Sequence, residues 1–353
     1  MHKGLLTSLI IGLAALAASC GKDPAPATPV NTSGERVLVV CEGMLGNGNS
    51  ALTLHRPDSN QTIEDIYQDV NGSPLGDVFQ SILLIGNQYF LCINNSDKIL
   101  VVGRDDFKAD GSIYVPKPRY ILPVSETKAY VSTLFSDKVY IINPKTLSVT
   151  GTITMPFRNA EGMTRVGDKV FVATWDTAAT AVYPIDIATD AVGTAMAVSG
   201  RAPQEILEDR EGKLWVLSGN EAKGIESKLT RLDPTSGNIL KTFSFGTADP
   251  LKPVFNKTKD TLYFIEVSYS GGAANNGIYR MGIHDAALPT QAFVAASGFQ
   301  YFWGIDIHPV SGHIYIADPV GFTQRGKVQV YRQDGSAVNT FATGVGPGHF
   351  LFD

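Results

Sequence analysis

At 353 residues the chain is long enough for one to three domains. Charged residues make up 18%, with a net charge of −5 and a pI near 5.7. That balance leaves no basic surface to track a phosphate backbone and sets nucleic acid aside as a partner. The first elements stand apart from the rest. Met1-His2-Lys3 is a positive start, and Gly4 to Ala18 is an apolar run of signal-peptide length, short for a membrane span.

The apolar run ends at Ala17-Ala18-Ser19-Cys20, small residues before a cysteine. This resembles the lipobox of bacterial lipoproteins, which implies that residues 1–19 are a signal peptide and that Cys20 carries the lipid. A plain secretory cleavage site is the alternative. Acyl chains on one residue anchor by about 0.8 kcal/mol per buried CH₂. Residues 20–33 follow as a Pro-, Ala- and Thr-rich tether without apolar periodicity. The Gly21-Lys22-Asp23 after the cysteine resembles the short acidic export signal of surface lipoproteins of Bacteroidetes. Outer-membrane anchoring with cell-surface exposure is the expectation.

From residue 34 a unit recurs. Its clearest copy is Lys117 to Met155, four apolar runs rich in β-branched and aromatic residues, separated by Ser-Glu-Thr, Ser-Asp and Pro-Lys-Thr turns. A strand, polar turn and return strand appear seven times, at 54–66, 102–113, 142–153, 184–196, 231–243, 280–293 and 330–341. An aromatic residue marks the preceding strand in six copies: Tyr89, Tyr130, Phe171, Trp215, Tyr263 and Tyr315. Their spacings of 41, 41, 44, 48 and 52 residues fall in the range of propeller blades. Six opening strands precede them, from Asp77-Val-Phe-Gln to Phe302-Trp-Gly-Ile. The first unit lacks one, while Gly348-His-Phe-Leu-Phe ends the chain with nothing to follow. That strand left alone would be an unpaired edge. The prediction is an all-β, seven-bladed propeller over 34–353, of four-stranded antiparallel blades, closed by the C-terminal strand joining the first blade.

No catalytic motif is present: no Gly-x-Ser-x-Gly, His-Glu-x-x-His, phosphate-binding loop or Cys-x-x-Cys. Cys41 and Cys92 lie in apolar runs and read as buried free thiols, with a disulfide the alternative. His308 and His313 flank Pro309 to Gly312, which reads as a solvated turn, with metal binding the alternative. Gly43 to Gly48 reads as a loop on one face of the ring. In a propeller the loops after each second strand and those leading into the inner strands converge on the central channel. They carry Glu42, Phe79, Asn94, Arg119, Tyr120, Phe135, Trp175, Asn220, Tyr269, Trp303, Phe322 and His349, the expected ligand contacts. Glu161, Gln204, Glu205 and Glu221 lie on the same loops. Rings beside amides and a few charges suit a large, amphipathic, mostly neutral ligand.

The Cys20 motif, the tether and the segments Gly72-Ser-Pro-Leu-Gly-Asp-Val-Phe-Gln-Ser, Asn94-Asn-Ser-Asp-Lys and Gly344-Val-Gly-Pro-Gly-His-Phe complete a pattern. It resembles the YncE-like propeller lipoproteins of Bacteroidetes, the surface-layer proteins of the DUF5074 group. That group includes a surface cobalamin-binding lipoprotein that caps a TonB-dependent outer-membrane barrel. The resemblance implies a non-enzymatic protein that binds cobalamin as ligand, with no cofactor and no metal, and hands the corrinoid to such a barrel. A glycan or a protein partner is the second expectation. A channel enzyme using His349 is the third.

Overall fold

A computed structural model describes residues 34–268 and 276–353; Cys20, the tether and Tyr269 lie outside them. Among the described residues seven four-stranded antiparallel sheets follow one another. Blade 3 shows the pattern: inner strand Pro118–Ser125, then Lys128–Thr133, Lys138–Asn143 and outer strand Ser148–Thr154. The inner strands of blades 2, 4, 5, 6 and 7 are Phe79–Ile85, Ala160–Val166, Pro203–Glu208, Asp249–Phe255 and Gly304–Ile307. Blade 1 takes its inner strand from the other end of the chain: Pro347–Phe352 pairs with Val37–Cys41, Val39 opposite Phe350. Each inner strand packs on the next around a closed ring. The predicted one-plus-three closure is what the chain adopts.

The third-to-outer turns have a local cause. Asn143, Asp186 and Asp233 each accept two backbone N–H groups from the residues two and three further on. An Asx side chain holds the turn in this way whatever lies between. A residue with positive φ then re-enters the strand: Leu147, Asp190 and Gly237 at +49°, +59° and +73°.

Blade faces interleave into the core. Tyr89, Tyr130, Phe171, Trp215, Tyr263 and Tyr315, the six periodic aromatics, are 0 to 4% exposed. They are packing residues, each worth about 1.5–3 kcal/mol of burial. Val37, Val39 and Cys41 of blade 1 pack with Tyr315, Ala317 and Val328 of blade 7, so the closing seam is as apolar as the others. Cys41 and Cys92 are free and buried, and burial pushes each thiol up to about 12.

Two expectations need correction. The first return strand, read as running to Ile66, stops at Ile63, and Ile66–Asn71 forms a short helix capped by Asp65. Ile66 and Tyr67 are buried on it, so its apolar residues belong to a helix face packed near the strand Ala51–Arg56 of blade 1. His308 is not solvated either; it is 4% exposed, its ring edge-on to Phe352 at 4.8 Å. Its Nδ1 accepts from Val310 and Ser311, and Nε2 faces the Glu35 carboxylate at 2.6 Å, so the imidazole is spent on holding its turn.

Asp353 ties the closing strand to blade 2. Its buried carboxylate binds Arg36, Arg104 and the Tyr89 hydroxyl. Burial works against the charge, but these partners outweigh it and hold the pKa below the usual value. Breaking a buried ion cluster by removing one partner is costly, so Asp353→Asn is expected to lose about 3 kcal/mol in urea unfolding at pH 7. A depressed carboxyl contributes stability above its unfolded pKa and loses it as pH falls through the folded value. The gap between wild type and variant should therefore shrink below about pH 4; a gap unchanged at pH 3 would contradict this role.

Candidate functional site

A repeated backbone device builds the mouth of the channel. Val78, Lys117, Asn159 and Ala202 lead into the inner strands of blades 2 to 5 with φ of +57°, +44°, +59° and +54°. Non-glycine residues in this region are uncommon and mildly strained. The residue after each is buried: Phe79, Pro118, Ala160 and Pro203. The residue after that faces the cavity: Gln80, Arg119, Glu161 and Gln204. A bulge follows in every case. Sharp reversal plus bulge thus aims one polar side chain per blade at the axis. At Gly162 the neighbouring backbone is so near that an added Cβ would lie 2.8 Å from the Gln204 carbonyl.

These side chains line a cavity of about 640 Å³ together with Glu42, Trp175, Glu205, Asn220, Glu221, Asp249, Leu251, Lys252 and Trp303. A second hollow of about 510 Å³ adjoins it, lined by Met44, Leu45, Asn94, Lys117, Phe135 and Phe322 among others. Both share Glu42, Gln80 and Arg119, which makes one trough with a waist at these three. The Gly43–Gly48 loop lies over the second hollow, where the Asp77 carboxylate accepts from Gly46 N at 3.0 Å.

Eight of the twelve expected ligand residues line the trough: Glu42, Asn94, Arg119, Phe135, Trp175, Asn220, Trp303 and Phe322. Phe79 does not; it is fully buried. It holds the core position of the device, and the cavity position falls to its neighbour Gln80. Tyr120 and His349 are half-buried and line neither hollow. They meet in the channel, rings edge-to-face at 5.7 Å, with the Tyr120 hydroxyl 3.4 Å from His349 Nε2. Tyr269 lies outside the described residues. Gln80, Asp249, Leu251 and Lys252 escaped the sequence reading. The device register could have given Gln80, and a lysine between the apolar Leu251 and Pro253 of an inner strand is the signal for Lys252.

One ion pair, Arg119 with Glu161, sits at the waist, and neutral partners engage the charges around it. Arg119 Nε donates to both Glu161 oxygens at 2.9 and 3.1 Å, and Nη1 donates to Gln80. Burial disfavours the guanidinium charge, but Glu161 outweighs it and raises the pKa. Lys252 Nζ donates to His349 Nε2 at 2.9 Å. Burial, then Lys252 and Arg119, push the imidazole pKa well down, so His349 is neutral and an acceptor. Glu42 accepts from Trp303 Nε1 at 2.9 Å, and burial raises its carboxyl pKa. Glu205 accepts no hydrogen bond from any described residue, and burial pushes it up to about 7. Aromatic rings form part of the wall: Trp175 Nε1 is fixed on the Gly219 carbonyl at 3.2 Å, and Phe322 stands edge-on to Trp303 at 5.1 Å. Such a surface offers donors, acceptors and flat apolar faces, with Glu205, Glu221 and Asp249 outside any ion pair among the described residues.

A buried carboxyl whose folded pKa is raised favours the fold below its unfolded value and loses that advantage as pH climbs through the folded value. Glu205 is therefore expected to cost on the order of 1–3 kcal/mol between about pH 4.5 and 7. Glu205→Gln should remove that slope and unfold later than wild type at pH 8; chemical denaturation across this range measures it, and parallel curves for the two proteins would refute it.

No functionally curated protein matches the sequence. Solved structures with the same architecture include a quinonprotein alcohol dehydrogenase-like protein from Bacteroides thetaiotaomicron. It is 16% identical, with a TM-score of 0.69, over 91% of this chain and 78% of that one. Another is apo AztD from Citrobacter koseri, 10% identical with a TM-score of 0.59 over 90% and 97% of the two chains. A third is the dihydro-heme d1 dehydrogenase NirN, 9% identical with a TM-score of 0.61 over 95% and 78%. At these identities the likeness is one of fold alone. The sequence itself places the chain more closely: the family described as a domain of unknown function, DUF5074, matches residues 35–344, and the chain belongs to that family.

Proposed function

We propose that the protein is a surface-exposed, lipid-anchored binding protein of the outer membrane. In this reading it captures a corrinoid such as cobalamin in the trough and passes it to a TonB-dependent barrel. The observation that carries the reading is the trough itself, two joined hollows lined by amides, carboxyls, a buried Arg119–Glu161 ion pair, and indole and phenyl rings. A corrinoid is large, carries a fringe of amides and presents flat apolar surface. Amides want both donors and acceptors; Gln80, Gln204, Asn220 and the carboxyls supply them. Phe135, 71% exposed at the rim, offers a further apolar contact that no part of the fold requires. The anchor rests on the Cys20 motif, and the handover on the family resemblance.

Binding rather than catalysis fits the channel chemistry. His349, the side chain an enzyme would use as base, already accepts from the Lys252 ammonium and is held far from protonation. A second reading, a glycan at the cell surface, draws on one corner of the trough. Trp175 there stands beside Asn220, Glu221 and Asp249, a ring with an amide and two carboxylates.

Isothermal titration of cyanocobalamin into micromolar protein is expected to give a saturable signal. Trp303→Ala should weaken it tenfold or more, about 1.4 kcal/mol, whereas Phe79→Leu should change stability and leave affinity within about twofold. No heat from wild type would overturn the corrinoid reading, and binding on a glycan array would then favour the second.

A further inference from the structure

We propose that the larger cavity selects its ligand by charge, admitting neutral and cationic groups and rejecting anions. The two cations that line it are outnumbered by five carboxyl residues, Glu42, Glu161, Glu205, Glu221 and Asp249. Arg119 is held by both oxygens of Glu161, and the Lys252 ammonium is engaged by His349. Lys252 also lies within the electrostatic reach of Glu42 and Glu205, so its charge is shared between two carboxyls. Against these stands Glu205, half-buried, lining the cavity and receiving no hydrogen bond from any described residue. Its open acceptor points to a guest that brings a proton or a positive charge. Glu221 and Asp249 add negative potential to the same cavity, which Trp175 also lines. An anion entering this funnel would shed its water beside uncompensated carboxylates. An ammonium or an amide N–H₂ would meet acceptors and an indole face instead.

The selection depends on pH in a defined direction. Glu205 is faced by Lys252 from blade 6, by Glu161 from blade 4 and by Arg119 and Tyr120 from blade 3. Its carboxyl sits at about 7, so raising the pH from 6 to 8 ionises it and deepens the exclusion of anions.

The cavity carries its own reporters. The chain has three tryptophans, and Trp215 is 1% exposed, which leaves Trp175 and Trp303 open to quenchers. Fluorescence quenching by iodide, caesium and acrylamide is measured on the whole protein at constant ionic strength, each normalised to N-acetyltryptophanamide. At pH 8 iodide is expected to quench at least threefold less effectively than caesium, and its quenching should rise on going to pH 6. Glu205→Gln should raise iodide quenching at pH 8 at least twofold and flatten its pH dependence, with acrylamide quenching unchanged. If acrylamide quenching rises, the variant has loosened, and the wild-type ion comparison decides alone. Equal normalised quenching by iodide and caesium in wild type overturns the proposal. A second arm rests on the corrinoid reading. Cyanocobalamin with one side-chain amide hydrolysed to a carboxylate is expected to bind at least tenfold more weakly than cyanocobalamin itself. Equal binding of the two would overturn charge selection and leave corrinoid capture standing. No binding of either would remove the corrinoid reading and leave the quenching result to decide.

Discussion

A propeller blade is a sheet with two apolar faces, and neither is covered until the neighbouring blade is in place. The pairing of Pro347–Phe352 with Val37–Cys41 turns this requirement into a closed circle. Without it, blade 1 would be three strands with a bare inner edge, and the seam of Val37, Val39 and Cys41 against Tyr315 and Val328 would lie open. Closure brings residues more than 300 positions apart into one sheet, so the ring is assembled by its least local contact. The Asp353 cluster reinforces that contact with ion pairs that reach both blade 1 and blade 2.

Ring closure also makes the channel, and the channel makes the site. Seven inner strands brought side by side turn their entry residues toward one axis. The positive-φ residue and bulge at the start of blades 2 to 5 meter what enters: one polar side chain each, after one buried residue. Packed this closely, Gln80, Arg119, Glu161 and Gln204 must find partners among themselves or in a guest. Arg119 and Glu161 find each other; Glu205 accepts no hydrogen bond from any described residue. The site's character therefore follows from this convergence: one ion pair, and three carboxyls, Glu205, Glu221 and Asp249, outside any ion pair among the described residues.

Much of the fold was readable from residue order. The spacing of the six aromatics, the Asx turns and the orphaned C-terminal strand each reflect constraints that act within about fifty residues or demand a partner for an edge. The face of the ring that carries the trough was readable for the same reason, since strand order decides which loops converge. What misled was the one-residue scale. Phe79 looked like a ligand contact because it is aromatic and near a loop, yet the bulge places Gln80 in the cavity and Phe79 in the core. His308 looked like a turn residue and is one, but the strand that closes blade 1 covers it with Phe352. The segment after Ile63 read as strand because its residues are apolar; Asp65 caps it as a helix instead.

The repeat, the number of blades, the manner of closure and the loops at the mouth are written in the order of residues, because they depend on periodicity, turn chemistry and edge pairing. Which side chains share the cavity, and in what state of charge, is set by the folded ring. Arg119 meets Glu161, Lys252 meets His349 and Trp303 meets Glu42 across separations of 42, 97 and 261 residues. Electrostatic partnership and burial are set by distance in space, and distance in space across a ring is fixed only once the ring has closed.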